Sequence, residues 1–339
     1  MLARIVPPRE LAAAVIALLV SVAIGSVLVM LAGKAPGHVW WLMITRTLGD
    51  EFLVGQMLYR ATALAMIGVA VAIALDAGLF NIGAEGQVTA GVLGCAVVGA
   101  ALPASTPAIV AVPVCLVAAA ASGGAVGAMI GVLRVTRDAN EVITSIMFNA
   151  IVAGVALWIG NEWLFQGGTT RGAEIAEGAQ LPQLGFGGSS VNAALFLALL
   201  VIAGAWWLRS RSTWGIAWRA VGRDAETAQA TGFDVARVRV LAMTASGALA
   251  GLAASNFVLG HKHAFEEGLG RGTGFLGVAA ALLGRQHPIG IGVAALALGF
   301  LSSGGIAVSD TVPKELTELL MGVVVLAIAG SAAWVRRRP

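Results

Sequence analysis

Of the 339 residues, 58% are hydrophobic and only 12% charged, the formal net charge is +3 and the mean hydropathy is +0.88; an ordinary soluble domain carries about 25% charged residues. This composition excludes a separate soluble domain of useful size. It specifies an all-α polytopic membrane protein, a single transmembrane domain over residues 1–339, with the lipid bilayer rather than nucleic acid as its surroundings.

Hydrophobic runs bounded by polar, Gly or Pro segments fall near 11–32, 57–75, 87–102, 107–133, 141–164, 191–208, 238–259, 272–285, 289–305 and 316–335, which predicts about ten transmembrane helices. The first run exceeds the about 7–15 residues of a signal-peptide core and reads as a retained span. Lys and Arg in the connections favour one side two to one when both termini are cytoplasmic.

The second run ends in "LDAGLFNIGAEGQVTAG". Gly78, Gly83 and Gly86 make a continuous helix costly, at about 1 kcal/mol per interior glycine, so a broken or re-entrant helix is expected near 76–88. Such a break survives at membrane depth only against protein or a water-filled cavity. Asn81 and Glu85 are four apart and are expected to share a helix face. Asn81, Glu85 and Gln87 are candidates either for lining a solute pathway or for capping the broken ends and holding a gate closed.

Cys95 and Cys115 lie in apolar runs and read as small buried hydrophobes. Gly123, Gly127 and Gly131 recur every fourth residue and predict a helix-packing stripe. Glu141, Ser145 and Asn149 are spaced i, i+4 and i+8, a polar stripe that belongs inside the bundle, with an ion pair from Glu141 to Arg137 as the alternative for its first member. The Gly-rich segment 165–190 is expected to be an external loop.

Residues 209–239 form the one large internal loop. Within it Asp224 is expected to cap a helix of two turns containing Glu226 and Ala228, ended by Gly232 in the left-handed conformation. Its small face suits either a groove on a partner or a lipid surface. "GHKHAFEEG" reads as a solvated external loop, since Lys262 puts a cation between the two histidines of any metal site. No G-x-x-x-x-G-K-[ST] loop is present, so the chain is not expected to hydrolyse ATP or to bind a cofactor.

The run "RAVGRDAETAQATGFDVARVRVLAMTASGALAGLA" resembles the coupling loop of ABC-importer permeases for simple sugars, branched-chain amino acids and nucleosides. "GLFNIGAEGQ", "NEVITSIMFNAIV" and "GFLGVAAALLGRQHPIGI" resemble three motifs of the nucleoside branch, in the family's order. The resemblance implies a type II-like importer permease in a bacterial inner membrane, working with a cytoplasmic ABC ATPase that uses ATP, a second permease chain and an external substrate-binding protein. It assigns ATPase coupling to Arg219, Gly222, Arg223, Asp224, Glu226, Ala228 and Gly232. If the polar break lines the pathway rather than holding the gate, Glu85 has the chemistry to accept from a ribose or nucleobase, and Asn81 or Gln87 to meet a base edge. Two departures are Arg223-Asp224-Ala225, where relatives often have Glu-Asn-Pro, and Ala150, where they usually carry an aromatic residue. The alternatives are an ion-coupled transporter using Asp76, Glu85 or Glu141, and a membrane scaffold.

Overall fold

The computed structural model describes residues 19, 22–312, 319, 322 and 323. The chain enters through α1 (Val22–Leu31) and α2 (Pro36–Gly49), which are bent by 113° to each other. It continues through α3 (Glu51–Asp76), α4 (Ala84–Ala101), α5 (Ala108–Arg137) and α6 (Glu141–Ile159, prolonged by a π-turn to Leu164). A short strand β1 (Arg171–Glu174) precedes α7 (Ala194–Arg211), α8 (Thr213–Arg223), α9 (Ala225–Ala230) and α10 (Val235–Leu252, prolonged as a π-helix to Lys262). Strand β2 (Ala264–Glu266), α11 (Thr273–Leu283) and α12 (Pro288–Ala307) follow.

Seven helices among the described residues, α3, α4, α5, α6, α7, α10 and α12, are long and apolar enough to cross a membrane, or eight spans if α1 and α2 count as one. The expectation of about ten is corrected on that count. The run at 272–285 forms only the 11 residues of α11, about 16 Å of helix against a hydrocarbon core of about 30 Å. Most of the run at 316–335 and most of the start of the run at 11–32 lie outside the described residues.

α3 stands at the centre. From Ala61 to Ala74 every residue is buried, as a helix that is apolar all round requires. In contrast, α6 and α7 are each only 17% buried over their most apolar windows and present Ile143, Met147, Trp158, Phe196 and Leu200 outward. Cys95 and Cys115 are free and buried.

The most extensive helix–helix contact among the described residues is that of α5 with α10. A Cβ on Gly123 would overlap the Gly247 carbonyl oxygen, one on Gly127 the Met243 carbonyl oxygen, and Gly131 rests on Val240. The contact is reciprocal, because Gly247 and Gly251 of α10 lie against the Gly123 and Ala119 carbonyl oxygens. In lipid, such backbone approach supplies the dispersion contact that water exclusion supplies elsewhere. Gly127→Leu is therefore expected to cost at least the about 1–3 kcal/mol of an overpacked core, read as a smaller monodisperse fraction in detergent; an unchanged fraction would show that the two backbones separate freely.

Candidate functional site

The helix expected to break does so between Asp76 and Ala84. Gly78 adopts φ +73°, which glycine tolerates without the Cβ penalty, and the Leu79 amide donates back to the Ala74 carbonyl at 3.0 Å. The chain turns back into the bundle, and Asn81 is fully buried. Its amide nitrogen donates to Gln87 Oε1 and Ser246 Oγ, both at 2.8 Å, and Ser246 in turn donates to the Ala70 carbonyl at 2.6 Å. Asn81 thus joins the break to α3, α4 and α10.

Asn149 of α6 closes the other side. Its Nδ2 donates to the Ile82 carbonyl at 3.0 Å and its Oδ1 accepts from the Gly86 amide at 2.8 Å. One side chain therefore satisfies two backbone groups that the break leaves without helical partners. Gly86 has no Cβ to hold α6 away, since such an atom would lie 3.0 Å from Asn149 Cα.

Glu85 occupies the first turn of α4 and turns toward α11. Its carboxylate accepts from the Gly272 amide at 2.5 Å and the Gly274 amide at 2.8 Å, while Gly274 packs on the Glu85 backbone. A negative charge at two abutting helix N-termini offsets the partial positive charge of both. Asn81 precedes α4 and Glu85 lies within it, so the expectation of a shared helix face is corrected: one side chain turns to α10, the other to α11.

Glu85 and Asn149 also line an open cleft of about 360 Å³ with Thr89, Leu157, Phe265, Glu267, Leu269 and Arg271. Its outer rim is the segment expected to be a solvated loop. Instead β2 pairs antiparallel with β1, Ala264 and Phe265 are buried, and Phe265 stacks on Phe165 with 5.8 Å between ring centroids. Lys262 pairs with Glu266 at 3.0 Å, and no cluster among the described residues has the composition to hold a metal. Burial holds the His263 imidazole below the usual histidine range.

The polar stripe of α6 divides. Glu141 pairs at 3.2 Å with Arg134 rather than with Arg137, Ser145 is fully buried beside Gly83, and only Asn149 reaches the cleft. Ala150 is on the exposed face of α6.

At the Asp76 end of the bundle, Arg209 of α7 pairs with Asp76 at 3.0 Å and donates to the Gln286 carbonyl between α11 and α12. Arg219 of α8 donates to the Arg209 carbonyl. Gly222, at the end of α8, lies directly on the backbone of Asp76 and Gly78. Sequence reasoning missed this joint, although an Asp and an Arg at the ends of two apolar runs were its visible signal.

Asp224 caps α9, accepting from the Glu226 and Thr227 amides at 3.1 and 3.2 Å. The Thr227 hydroxyl and amide hold its carboxyl below the usual aspartate range. The helix has six residues rather than two full turns; Gly232 follows at φ +96° and the Phe233 amide closes on the Ala228 carbonyl at 3.0 Å. Only Ala228 is buried, while Arg223, Glu226, Thr227 and Gln229 are exposed.

Asn149→Ala is expected to lower stability by about 1–3 kcal/mol for each of the two backbone groups it orphans, seen as a lower thermal midpoint in detergent. Glu85→Gln removes the charge from the α4–α11 junction and is expected to reduce transport more than expression. Equal losses of both would make the carboxylate a folding element only.

The family described as branched-chain amino acid transport system / permease component matches residues 53–329. The chain is 32% identical over 325 residues to the guanosine ABC transporter permease protein NupP of Bacillus subtilis, covering 94% of this chain and 92% of that one. It is 30% identical over 338 residues to a glucose ABC transporter permease of Haloferax volcanii, with 96% and 88% covered. To the nucleoside ABC transporter permease protein NupB of Lactococcus lactis it is 26% identical over 332 residues, with 95% and 91% covered. These matches run across the break, the cleft-lining helices and the α8–α9 segment alike, and the chain belongs to the family of branched-chain amino acid transport system permease components, a multi-pass membrane transport subunit and not an enzyme.

Proposed function

We propose that this chain is the transmembrane subunit of an ATP-driven ABC importer for nucleosides or chemically related sugars. ATP is used by a separate cytoplasmic ATPase that docks on the 209–239 segment. A second permease chain completes the pathway, and an external substrate-binding protein delivers the solute. The complex sits in the bacterial inner membrane with both termini of this chain cytoplasmic.

The observation that carries the reading is the contact of Gly222 with Asp76 and Gly78. The end of α8, immediately before the exposed α9, rests without an intervening side chain on the turn that leads to Asn81, Glu85 and the cleft. A push on α9 therefore reaches the break through backbone alone. The substrate class is supported by similarity to permeases described as serving guanosine, nucleosides and glucose. The carboxylates an ion-coupled transporter would use are already engaged, Asp76 by Arg209, Glu85 by two amides and Glu141 by Arg134.

Gentle purification of the tagged protein from its native membranes, with mass spectrometry of what accompanies it, tests the assembly. An ATPase, a second permease and a binding protein are expected; the protein alone, with crosslinking in agreement, would sink the reading. Deleting 224–231 is expected to abolish ATPase association while the membrane domain stays folded. Gly222→Val is expected to keep that association but to lower uptake per ATP hydrolysed, because its side chain would wedge α8 from the break. Unchanged uptake would show that force passes elsewhere.

A further inference from the structure

The corner between α7 and α8 carries a surface unlike that of α9. Trp206 and Trp207 close α7 and are 48% and 58% exposed; Trp214 and Ile216 open α8 at 44% and 55%. Ser212 accepts from the Trp214 amide at 3.0 Å and sets the start of α8. A Cβ on Gly215 would overlap the Leu208 carbonyl oxygen, so the two helices turn tightly against each other. α8 buries Gly215, Ala217, Trp218 and Val221, while Trp214 and Ile216, two residues apart, leave its first turn on different sides.

Exposed apolar side chains at the corner between a spanning helix and a short one meet either lipid or protein. Three features favour lipid. Tryptophan combines an apolar ring with an N–H donor and collects where hydrocarbon meets water. From Ala194 to Arg223 the sequence has four arginines and no Asp or Glu, and Arg211 is exposed. The apolar surface also stops at Ile216, for residues 224–234 expose no large hydrophobic side chain.

We propose that the α7–α8 corner, through Trp206, Trp207, Trp214, Ile216 and Arg211, seats in the headgroup layer at this end of the bundle and prefers anionic phospholipid. The loop expected to act as one coupling unit is then two: α8 rides on the membrane, and α9 alone stands clear of it. Lipid contact would fix the height of α8, and with it the height of Gly222 on the break. The proposal does not depend on the identity of the solute.

The test is fluorescence quenching of the full-length protein in nanodiscs by brominated phospholipid, with the Trp214 contribution isolated by subtracting Trp214→Phe. Bromine near the headgroup end of the acyl chain is expected to quench Trp214 more than bromine at the bilayer centre. Bromine on phosphatidylglycerol is expected to quench more than bromine on phosphatidylcholine, with roughly fivefold enrichment of the anionic lipid for one arginine at the surface. Arg211→Gln should remove most of that preference and leave the depth unchanged. Quenching of Trp214 by aqueous iodide but by neither lipid would overturn the seating and make the corner a protein-docking face. Equal quenching by the two lipids would overturn the anionic preference.

Discussion

Two helix N-termini, those of α4 and α11, meet inside the bundle at the carboxylate of Glu85. Abutting positive helix ends are unfavourable without an anion between them, and unpaired amides in a low-dielectric interior cost more still. The carboxylate meets both demands, and it is what lets the chain interrupt a helix at a depth where every backbone group needs a partner. Asn149 and Asn81 complete the arrangement, one by holding the Ile82 carbonyl and Gly86 amide, the other by joining Gln87 and Ser246. All three use polar atoms that would be expensive in lipid to stabilise backbone that would be equally expensive alone.

The consequence is a polar, interrupted segment with two different neighbours. On one side it forms a wall of the 360 Å³ cleft. On the other its first turn touches Gly222, and the Asp76–Arg209 pair ties α3 to α7 and to the α11–α12 turn. A displacement of α8 has two routes into the bundle, the glycine contact and the arginine. Hydrogen bonds can exchange partners as helices shift, whereas the α5–α10 glycine seam offers no such alternative. The molecule therefore pairs a close-packed, backbone-to-backbone element with a hydrogen-bonded one beside it.

The exposed surfaces divide by the same logic. α6 and α7 present apolar side chains over most of their length, the α7–α8 corner adds tryptophans and arginine, and α9 is small and polar. On the readings proposed above, three chemistries in succession along one stretch of chain would match three surroundings: hydrocarbon, headgroups and an aqueous protein partner.

The sequence by itself determined the membrane setting, because apolar runs and scarce charges leave no other solvent for the chain. It also determined the break, the capped α9 with Gly232 at its end, and the positions of Gly123, Gly127 and Gly131, since these follow from local conformational preference and from a spacing of four along one helix. Tertiary structure alone decided where each polar side chain turned. Asn81 and Glu85 are four apart, but the helix starts between them, so their directions depend on α10 and α11, which are distant in sequence. The pairing of Glu141 with Arg134, the contact of Gly222 with Gly78, and the entry of Phe265 and Gly272 into the bundle all join segments far apart in the chain or depend on a backbone turn. The short run at 272–285 is the clearest case: its composition is that of a span, yet α11 has only 11 residues because the segment before it, turning through Gly268, Gly270 and Gly272, carries its N-terminus to Glu85.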